Sequence, residues 1–277
     1  MATLSLFDQI QEACAWLRKQ TAFEPQYGII LGTGLSSLAD EIEIVAEIPY
    51  GEIPHFPVST VQSHKGKLVF GKLAGKPLVA MAGRFHYYEG YSMQQVTFPV
   101  RVLKFLGIER LIISNAAGGI NIGYRAGDLV FIKDHINLHA ENPLRGVNDE
   151  RLGPRFPDML GTYDRALNAK ALAIAKAHDI RAHEGIYFGW QGPNLETPAE
   201  YEFIHRIGAD LVGMSTIPEV LVARHMSLPV WVVSVISNQC YPIEAIQETT
   251  VEDVIAAVEQ AGPHLSLVVR TLLKEMD

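Results

Sequence analysis

Short apolar runs alternate with longer amphipathic segments along the chain, and this alternation constrains the fold more than any other feature. The apolar runs have the length and character of buried strands. They cover residues 27–31, 67–73, 76–82, 110–114, 128–132, 184–190 and 229–237. The amphipathic segments have helical periodicity and cover residues 5–20, 99–107, 163–178, 197–207 and 250–276. Strands that are apolar throughout need cover on both faces, so the pattern predicts an α/β fold with a helix-covered sheet.

Turn and capping residues set several of these boundaries. Residues 67–82 predict a hairpin, because two strand-like runs flank a short Ala-Gly-Lys turn. Pro99 is predicted to start a helix that ends at Gly107. Thr197 precedes a proline, which is the combination of an N-cap and a residue tolerated at the first helical position. Pro263 should kink or restart the long C-terminal helix.

The composition bounds the class of protein. The 277-residue chain has 48% hydrophobic and 19% charged residues, an ordinary globular composition, and its net charge is −8. This acidic balance argues against binding to nucleic acid or to an anionic membrane through overall charge. We find no repeat, linker, signal peptide or membrane-spanning run, and interpret residues 1–277 as a single domain. Cys14 and Cys240 form no CxxC motif, which favours a reduced, cytoplasmic setting.

Polar or glycine-rich segments follow the predicted strands. They cover residues 32–37, 83–90, 115–119, 191–196, 213–216 and 237–239. In open α/β sheets, ligands bind beyond the carboxyl ends of the strands, so these segments are predicted to converge on one pocket. Ordinary turns also favour Gly, Asn and Ser, and that explanation accounts for the glycines. It accounts less well for Arg84, His86 and Glu196, whose side chains have chemistry that a turn does not need.

The segment Gly-Arg-Phe-His-Tyr-Tyr-Glu-Gly, residues 83–90, points to an anionic ligand. In an extended loop, alternation places Arg84, His86 and Tyr88 on one face. A guanidinium group matches the oxygens of phosphate or carboxylate, and an imidazole can donate to a substrate. Each residue alone could instead be an ordinary solvated side chain. Residues 32–37 lack the third glycine of a dinucleotide fingerprint, and a phosphate-binding turn and a plain strand–helix turn are equally compatible with them.

Glu196 and Asn238 follow two different predicted strands and have the hydrogen-bonding groups that a heteroaromatic base requires. A glutamate accepts from a ring N–H, whereas an asparagine both donates and accepts. Taken singly, the more ordinary interpretations are a helix cap for Glu196 and a turn for Asn238. His135 and His139 are four residues apart, but no carboxylate completes a zinc motif, so we expect no metal site.

Taken together and in this order, the segments resemble the trimeric purine nucleoside phosphorylases that act on 6-oxopurine nucleosides. The resemblance covers nearly the whole chain and rests on GRFHYYEGY, FPVRVLKFLG, NAAGGIN, DHINL, NPLRGVNDERLGPRFPDM, GADLVGMSTIPEVLVARH and the SN pair at 237–238. It implies a single-domain, three-layer α/β fold with a mixed, partly barrel-like sheet between helices. It also implies phosphorolysis of inosine and guanosine, with inorganic phosphate as co-substrate and no metal or organic cofactor.

Matching positions suggest roles for individual residues. The resemblance implies that phosphate is held by Thr33, His64, Arg84, Ala116 and Ser215. It implies that the ribose contacts His86, Tyr88 and Met214, and that the base is held by Glu196 and Asn238, with Leu195 beside it. The expected catalytic residues are Asn238, Glu196 and His86. Phe156 matches a phenylalanine that closes the ribose end of a neighbouring subunit's site, so a homotrimer with sites near the subunit interfaces is expected.

Three positions depart from the family's usual pattern. Thr33 stands where a serine is usual, and it keeps the hydroxyl group. Leu195 replaces an aromatic residue that stacks near the purine, which weakens base binding by ~1 kcal/mol. Val251 or Thr250 stands where some members have a histidine directed toward the ribose 5′-hydroxyl. Selectivity at the 5′ end therefore stays open.

Other functions remain compatible with the sequence. A xanthosine-tolerant or methylthioadenosine-type phosphorylase would have the same overall pattern, although the latter usually has an acid where Asn238 stands. A nucleotide-binding protein without turnover would need the same loops. A dehydrogenase cofactor site is disfavoured by the incomplete glycine fingerprint.

Overall fold

A central β-sheet organises the molecule. The structure, a computed structural model, describes residues 4–32, 36–58 and 66–276. The strands in these residues are β1 Tyr27–Leu31, β2 Glu43–Pro49, β3 Lys67–Leu73, β4 Lys76–Ala82, β5 Arg110–Gly119, β6 Leu129–Asn137, β7 Ala182–Gly189, β8 Leu211–Gly213 and β9 Val230–Gln239. They form a nine-stranded sheet in the order β2-β3-β4-β1-β5-β8-β7-β6-β9.

The sheet closes on itself at one end, because β5 pairs with β9 as well as with β1 and β8. The strands β5, β8, β7, β6 and β9 therefore form a small barrel, and the other strands continue the sheet outward from β5. Parallel and antiparallel pairs both occur. β5 and β9 run parallel, whereas β3 and β4 form the predicted antiparallel hairpin. The expected mixed, partly barrel-like sheet is thus confirmed.

Helices cover both faces of the sheet. They are α1 Leu6–Gln20, α2 Ser36–Asp40, α3 Met93–Leu106, α4 Arg165–Ala177, α5 Pro198–Arg206, α6 Ile217–His225 and α7 Val251–Glu275. Residues of α1, α3 and α6 share one hydrophobic cluster with Ile30 and Ile113. Residues of α2, α4 and α7 share another with Ile29 and Ile112. Successive residues of β1 and β5 thus enter opposite layers of the core, which explains why these strands are apolar throughout.

Two helices differ from the prediction. α3 begins at Met93 rather than at Pro99, because Ser92 and Gln95 form a capping box that starts the helix upstream. Pro99 consequently lies inside the helix. α7 is one continuous helix that contains Pro263, so the predicted restart at this proline is wrong. None of the described helices is apolar over a length that would cross a membrane.

Two of the polar segments predicted to follow strands are parts of strands. Residues 115–119 continue β5, and residues 237–239 continue β9. The reason is that β5 and β9 pair along this stretch, where Gly118 lies opposite Asn238. The polar ends of the two strands therefore lie side by side at one end of the barrel. The prediction also omitted β2, because its side chains are mostly exposed and give no apolar run.

Candidate active site

One pocket brings together residues from all six polar segments. Its wall includes nine of the predicted site residues, Arg84, His86, Tyr88, Ala116, Leu195, Glu196, Met214, Ser215 and Asn238. Gly32, directly after β1, lies in the same wall. The segments thus converge in space as the sequence pattern predicted, while the role of each residue stays a prediction. Thr33 and His64, which were also predicted to hold phosphate, lie outside the described residues.

The first half of the pocket, the arginine half, is built around Arg84, which follows β4 and is 1% exposed. Its Nη1 donates to the carbonyl oxygen of Ser114 and to Oγ of Ser215, both at 3.1 Å. Its Nε donates to Oε1 of Glu219 at 3.2 Å, and Nη2 lies 3.0 Å from the same oxygen. A buried cation needs such partners, so the chain itself fixes the direction of the guanidinium group.

Glu219 is the counter-ion of Arg84, and the sequence analysis missed it. It lies in the first turn of α6 and is 2% exposed. Its second carboxylate oxygen, Oε2, is buried and has no hydrogen-bond partner among the described residues. The pair gives the pocket a cation whose charge is compensated within the chain.

His86 and Tyr88 line the pocket beside Arg84, but the loop is not extended. Residues Tyr87–Glu89 form a 3₁₀ turn, so the strict alternation that predicted a common face does not hold. Nδ1 of His86 lies 3.1 Å from Oε1 of Glu89, and the rings of His86 and Tyr88 stack with centroids 4.6 Å apart. Burial lowers the pKa of His86 below its ordinary value, although Glu89 opposes the effect. The shift favours the neutral imidazole, which offers hydrogen bonds rather than a second charge.

The end of β5 and the start of α6 complete the arginine half. Asn115 is buried, and its Nδ2 donates to Oγ1 of Thr216 at 2.9 Å. Its Oδ1 is buried with no partner among the described residues. The backbone of Thr216 has a φ of 75°, a conformation that residues other than glycine rarely adopt. Backbone strain of this kind is common at ligand sites. Thr216 directly follows Ser215, whose hydroxyl oxygen accepts a hydrogen bond from Arg84.

The second half of the pocket, the amide half, is built around Asn238 near the end of β9. The Ser237 hydroxyl donates to Oδ1 of Asn238 at 2.7 Å. This bond orients the amide, and Nδ2 then lies 3.3 Å from Sγ of Cys240 and 3.4 Å from Oγ1 of Thr249. Asn238 therefore presents a donor of fixed direction. It lies in a strand, so the interpretation of Asn238 as a turn residue is wrong.

Glu196 lines the amide half from the loop before α5. It does not cap that helix, because Thr197 is the N-cap and Pro198 is the first helical residue. Burial raises the pKa of Glu196, while a hydrogen bond from its own backbone and one from the Tyr201 hydroxyl lower it. A carboxylate in such a site needs hydrogen-bond donors, and a ligand N–H would supply one.

Four lining residues lie outside the predicted polar segments. They are Tyr201 of α5, Val212 of β8, Cys240 after β9 and Val254 of α7. Tyr201 and Cys240 belong to the amide half. Val254 lines the pocket instead of Val251 or Thr250, since Val251 is 68% exposed and Thr250 caps α7. In the sequence, Tyr201 and Val254 occupy apolar positions of amphipathic helices, so periodicity assigns them to the core.

Phe156 lies outside this pocket. It belongs to the long connection between β6 and α4 and is 86% exposed. Val147 and Leu160 of the same connection are 103% and 84% exposed. Three large apolar side chains exposed on one segment are typical of a surface that contacts another molecule.

Comparisons with known proteins agree with this geometry. Residues 26–274 match the family described as the Phosphorylase superfamily. Purine nucleoside phosphorylase 1 of Geobacillus stearothermophilus is 49% identical over 267 residues, which make up 96% of this chain and 97% of the relative. Two structures of Schistosoma mansoni purine nucleoside phosphorylase, in complex with inosine and with adenosine, each have a TM-score of 0.93. They are 38% and 39% identical, and each comparison covers 99% of both chains.

The match defines the class first: the chain belongs to the Phosphorylase superfamily, and its identity with the Geobacillus enzyme places it among the purine nucleoside phosphorylases. Enzymes of this kind are pentosyltransferases, which move a pentose between a purine base and phosphate.

Proposed function

We propose that this enzyme catalyses the reversible phosphorolysis of 6-oxopurine nucleosides, inosine and guanosine, to the free base and ribose 1-phosphate. The observation that carries the proposal is that the arginine half and the amide half belong to one pocket. The arginine half has the groups that bind an oxyanion, and the amide half has an acceptor and a donor for the edge of a base. Inorganic phosphate is the co-substrate, and the reaction requires no metal or organic cofactor.

The arginine half holds phosphate as the nucleophile. Cleavage of the N-glycosidic bond develops positive charge on the sugar, as in glycoside hydrolysis. Phosphate bound to Arg84 attacks C1′ on the face opposite the base, and its negative charge stabilises the ribosyl cation. The product is ribose 1-phosphate with inversion at C1′. In this proposal the rest of the phosphate and ribose contacts come from Thr33, His64, Ala116, Ser215, His86, Tyr88 and Met214.

Asn238 stabilises the leaving base. Negative charge gathers on the purine ring as the bond breaks, and N7 and O6 carry much of it. Because Ser237 fixes the amide through its 2.7 Å hydrogen bond, Nδ2 of Asn238 can donate to N7 or O6 once the base replaces Oγ1 of Thr249, which lies 3.4 Å away. The bond strengthens as the charge grows, so it favours the transition state over the ground state.

Glu196 selects the 6-oxopurine. Inosine and guanosine carry a hydrogen on N1, which the carboxylate accepts, whereas adenosine has a lone pair there. A buried carboxylate that faces a lone pair lacks its partner, and this penalty disfavours adenosine strongly. A Schistosoma mansoni relative was solved in complex with adenosine, so binding alone is a poor criterion and selectivity is expressed as kcat/KM.

The active enzyme is a homotrimer in this proposal. Phe156 is 86% exposed and does not line the pocket of its own chain, which supports a role at the ribose end of a neighbouring subunit's site. The exposed side chains of Val147 and Leu160 on the same connection support burial of this segment against another copy. Light scattering coupled to gel filtration gives the mass directly, and a monomer at assay concentration would contradict this part of the proposal.

The reaction is tested by following hypoxanthine release from inosine with and without phosphate. We expect release only with phosphate, and a kcat/KM for adenosine at least about 10²-fold below that for inosine. Release without phosphate would instead indicate a hydrolase. Cleavage of methylthioadenosine as fast as inosine would indicate a methylthioadenosine-type enzyme, faster cleavage of xanthosine would indicate a xanthosine phosphorylase, and no release from any nucleoside would leave only a binding protein.

A further inference from the structure

Tyr201 and Cys240 connect the two groups that recognise the base, and the proposed reaction gives neither of them a role. Burial raises the pKa of Tyr201 most, and the neighbouring Cys240 thiol and Glu196 carboxyl group raise it further. Sγ of Cys240 in turn lies 3.3 Å from Nδ2 of Asn238. All four side chains line the amide half of the pocket. Glu196 and Asn238, which are distant in sequence, therefore share Tyr201 and Cys240 as neighbours in the pocket wall.

Ordinary core packing explains the positions of these two side chains but not their polar atoms. Tyr201 is 4% exposed and Cys240 is 1% exposed, and both belong to the small cluster around α5. A phenylalanine at 201 would fill the same space without a hydroxyl group that needs a partner. The thiol also packs closely on β5, since a Cβ added at Gly118 would lie 2.6 Å from Sγ of Cys240.

We propose that Tyr201 is a positioning residue for base recognition, and that Cys240 extends its effect to Asn238. The inference rests on the proposed function, because it assumes that Glu196 and Asn238 hold the purine. The Tyr201 O–H donates to one oxygen of Glu196 and leaves the other oxygen to accept the N1–H of the base. The thiol of Cys240 accepts from one N–H of Asn238, and the second N–H exchanges its 3.4 Å hydrogen bond to Oγ1 of Thr249 for N7 or O6 of the base.

The same hydrogen bond controls the protonation of Glu196. The titratable groups that influence this carboxyl group are Tyr201 and Glu200 of α5 and the thiol of Cys240. β5, β8 and α7 line the pocket with residues that do not titrate, and the other titratable lining residues, Arg84, His86 and Tyr88, lie in the arginine half. Burial raises the pKa of Glu196 most, Glu200 raises it further, and the Tyr201 hydroxyl lowers it.

The sign of the pH effect follows from these contributions. Glu196 accepts the N1–H only when it is ionised, so activity is present above its pKa and is lost as the pH falls through it. Removal of the Tyr201 hydroxyl raises that pKa further. The variant therefore loses activity at a higher pH than the unaltered enzyme, whereas a packing defect would lower activity equally at every pH.

The test compares Tyr201→Phe with the matched variant Tyr241→Phe, whose ring stacks on His205 on the outer side of the same cluster. kcat/KM for inosine is measured at saturating phosphate over about pH 5 to 9. For Tyr201→Phe we expect a roughly tenfold loss at pH 7, an acid limb moved to higher pH and an unchanged KM for phosphate. Tyr241→Phe should match the unaltered enzyme throughout.

A double-mutant cycle shows whether Tyr201 acts through Glu196. If it does, Tyr201→Phe has no further effect on inosine turnover in a Glu196→Gln background. An equal loss in both backgrounds, or an acid limb that does not move, would overturn the inference. Cys240→Ala is the second variant and is used if Tyr201→Phe does not fold. We expect it to lower kcat for inosine about threefold and to leave the KM for phosphate unchanged.

The unaltered enzyme separates this inference from the function on which it rests. If it releases no hypoxanthine from inosine and phosphate, the proposed function is rejected and the inference with it. If it is active while Tyr201→Phe and Cys240→Ala are indistinguishable from it, the inference alone is rejected.

Discussion

The two halves of the pocket place different partners beside their buried carboxyl groups. In the arginine half, Nη2 of Arg84 lies 3.0 Å from Oε1 of Glu219, and both side chains are almost fully buried. In the amide half, Glu196 has a raised pKa and is hydrogen-bonded by the neutral hydroxyl of Tyr201. The first arrangement is an ion pair, whereas the second places a carboxyl group among neutral polar side chains that include Asn238.

This difference matches what each half binds in the proposed reaction. A phosphate dianion needs a preformed cation, and Glu219 keeps that cation stable in the interior of the chain. The edge of a purine is neutral and its donors and acceptors are directional, so its site needs oriented groups rather than charge. Substitutions in the arginine half should therefore change phosphate use and stability. Substitutions in the amide half should change nucleoside use and turnover.

Replacement of Arg84 by alanine should have the largest effect. kcat/KM for phosphate should fall by about 10³-fold or more, because the main contact of the oxyanion is lost. The free energy of unfolding should fall by about 3–5 kcal/mol, since Glu219 is left buried without a counter-ion. Kinetics with varied phosphate and urea unfolding measure the two effects.

The partner Glu219 provides the control for Arg84→Ala. The double variant Arg84→Ala with Glu219→Gln should regain much of the stability and none of the activity. Arg206→Ala removes an exposed ion pair with Glu202 and should leave the unfolding midpoint close to that of the unaltered enzyme. If the Arg84→Ala enzyme kept an ordinary KM for phosphate, phosphate binding would not depend on the Arg84 cation. The comparison between the arginine half and the amide half would then fail.

Asn238→Ala should have the next largest effect. Unlike Arg84→Ala, it should change turnover of the nucleoside and leave phosphate use and stability nearly unchanged. kcat for inosine should fall by about 10²-fold, because a donor to the leaving base is removed. The KM for phosphate and the unfolding midpoint should stay close to those of the unaltered enzyme. Gln239→Ala, at the exposed neighbouring position, serves as the control. An unchanged kcat would remove Asn238 from the leaving-group role.

A matched pair of glycine substitutions sharpens the comparison at a smaller scale. A Cβ at Gly32 would lie 2.7 Å from the carbonyl oxygen of Ser114, in the arginine half. A Cβ at Gly118 would lie 2.6 Å from Sγ of Cys240, in the amide half. We expect Gly32→Ala to raise the KM for phosphate about tenfold and Gly118→Ala to raise the KM for inosine about tenfold. If both variants raised the same KM, the two halves would not be separable.

Phe156→Ala should have the smallest effect of the series. In a trimer, loss of this side chain from the ribose end of the neighbouring site should lower kcat/KM for inosine about fivefold, with phosphate use little changed. Steady-state kinetics and gel filtration measure the two properties together. Ile122→Ala, at another exposed apolar position, is the control. If Phe156→Ala changed only the KM for phosphate, Phe156 would act on the arginine half of the neighbouring pocket and not at its ribose end, which would contradict the prediction.

The sequence predicted the pocket better than it predicted the contacts inside it. Arg84, Glu196 and Asn238 stand out because polar side chains follow apolar strands, and the fold brings those strand ends together. Glu219 and Tyr201 do not stand out, because each lies in an amphipathic or apolar helix where a single polar group is unremarkable in sequence. Whether such a side chain faces the pocket depends on how the first turn of its helix packs, and periodicity does not specify this.

The layered fold could be predicted from the apolar strands, whereas closure of the barrel came only from the resemblance to a known family. Closure depends on the pairing of β5 with β9, strands separated by more than a hundred residues. That pairing turned residues 115–119 and 237–239 from predicted loops into strand ends. The early start of α3 was missed for a local reason, since the capping box at Ser92 and Gln95 was overlooked in favour of Pro99.

The central claim is that one pocket holds phosphate in its arginine half and the base in its amide half. A crystal structure with phosphate and hypoxanthine bound tests it most directly. The account predicts phosphate within hydrogen-bond distance of the Arg84 guanidinium group, and hypoxanthine with N1 at Glu196 and N7 or O6 at Nδ2 of Asn238. Phosphate bound away from Arg84, or hypoxanthine bound outside the amide half, would contradict it.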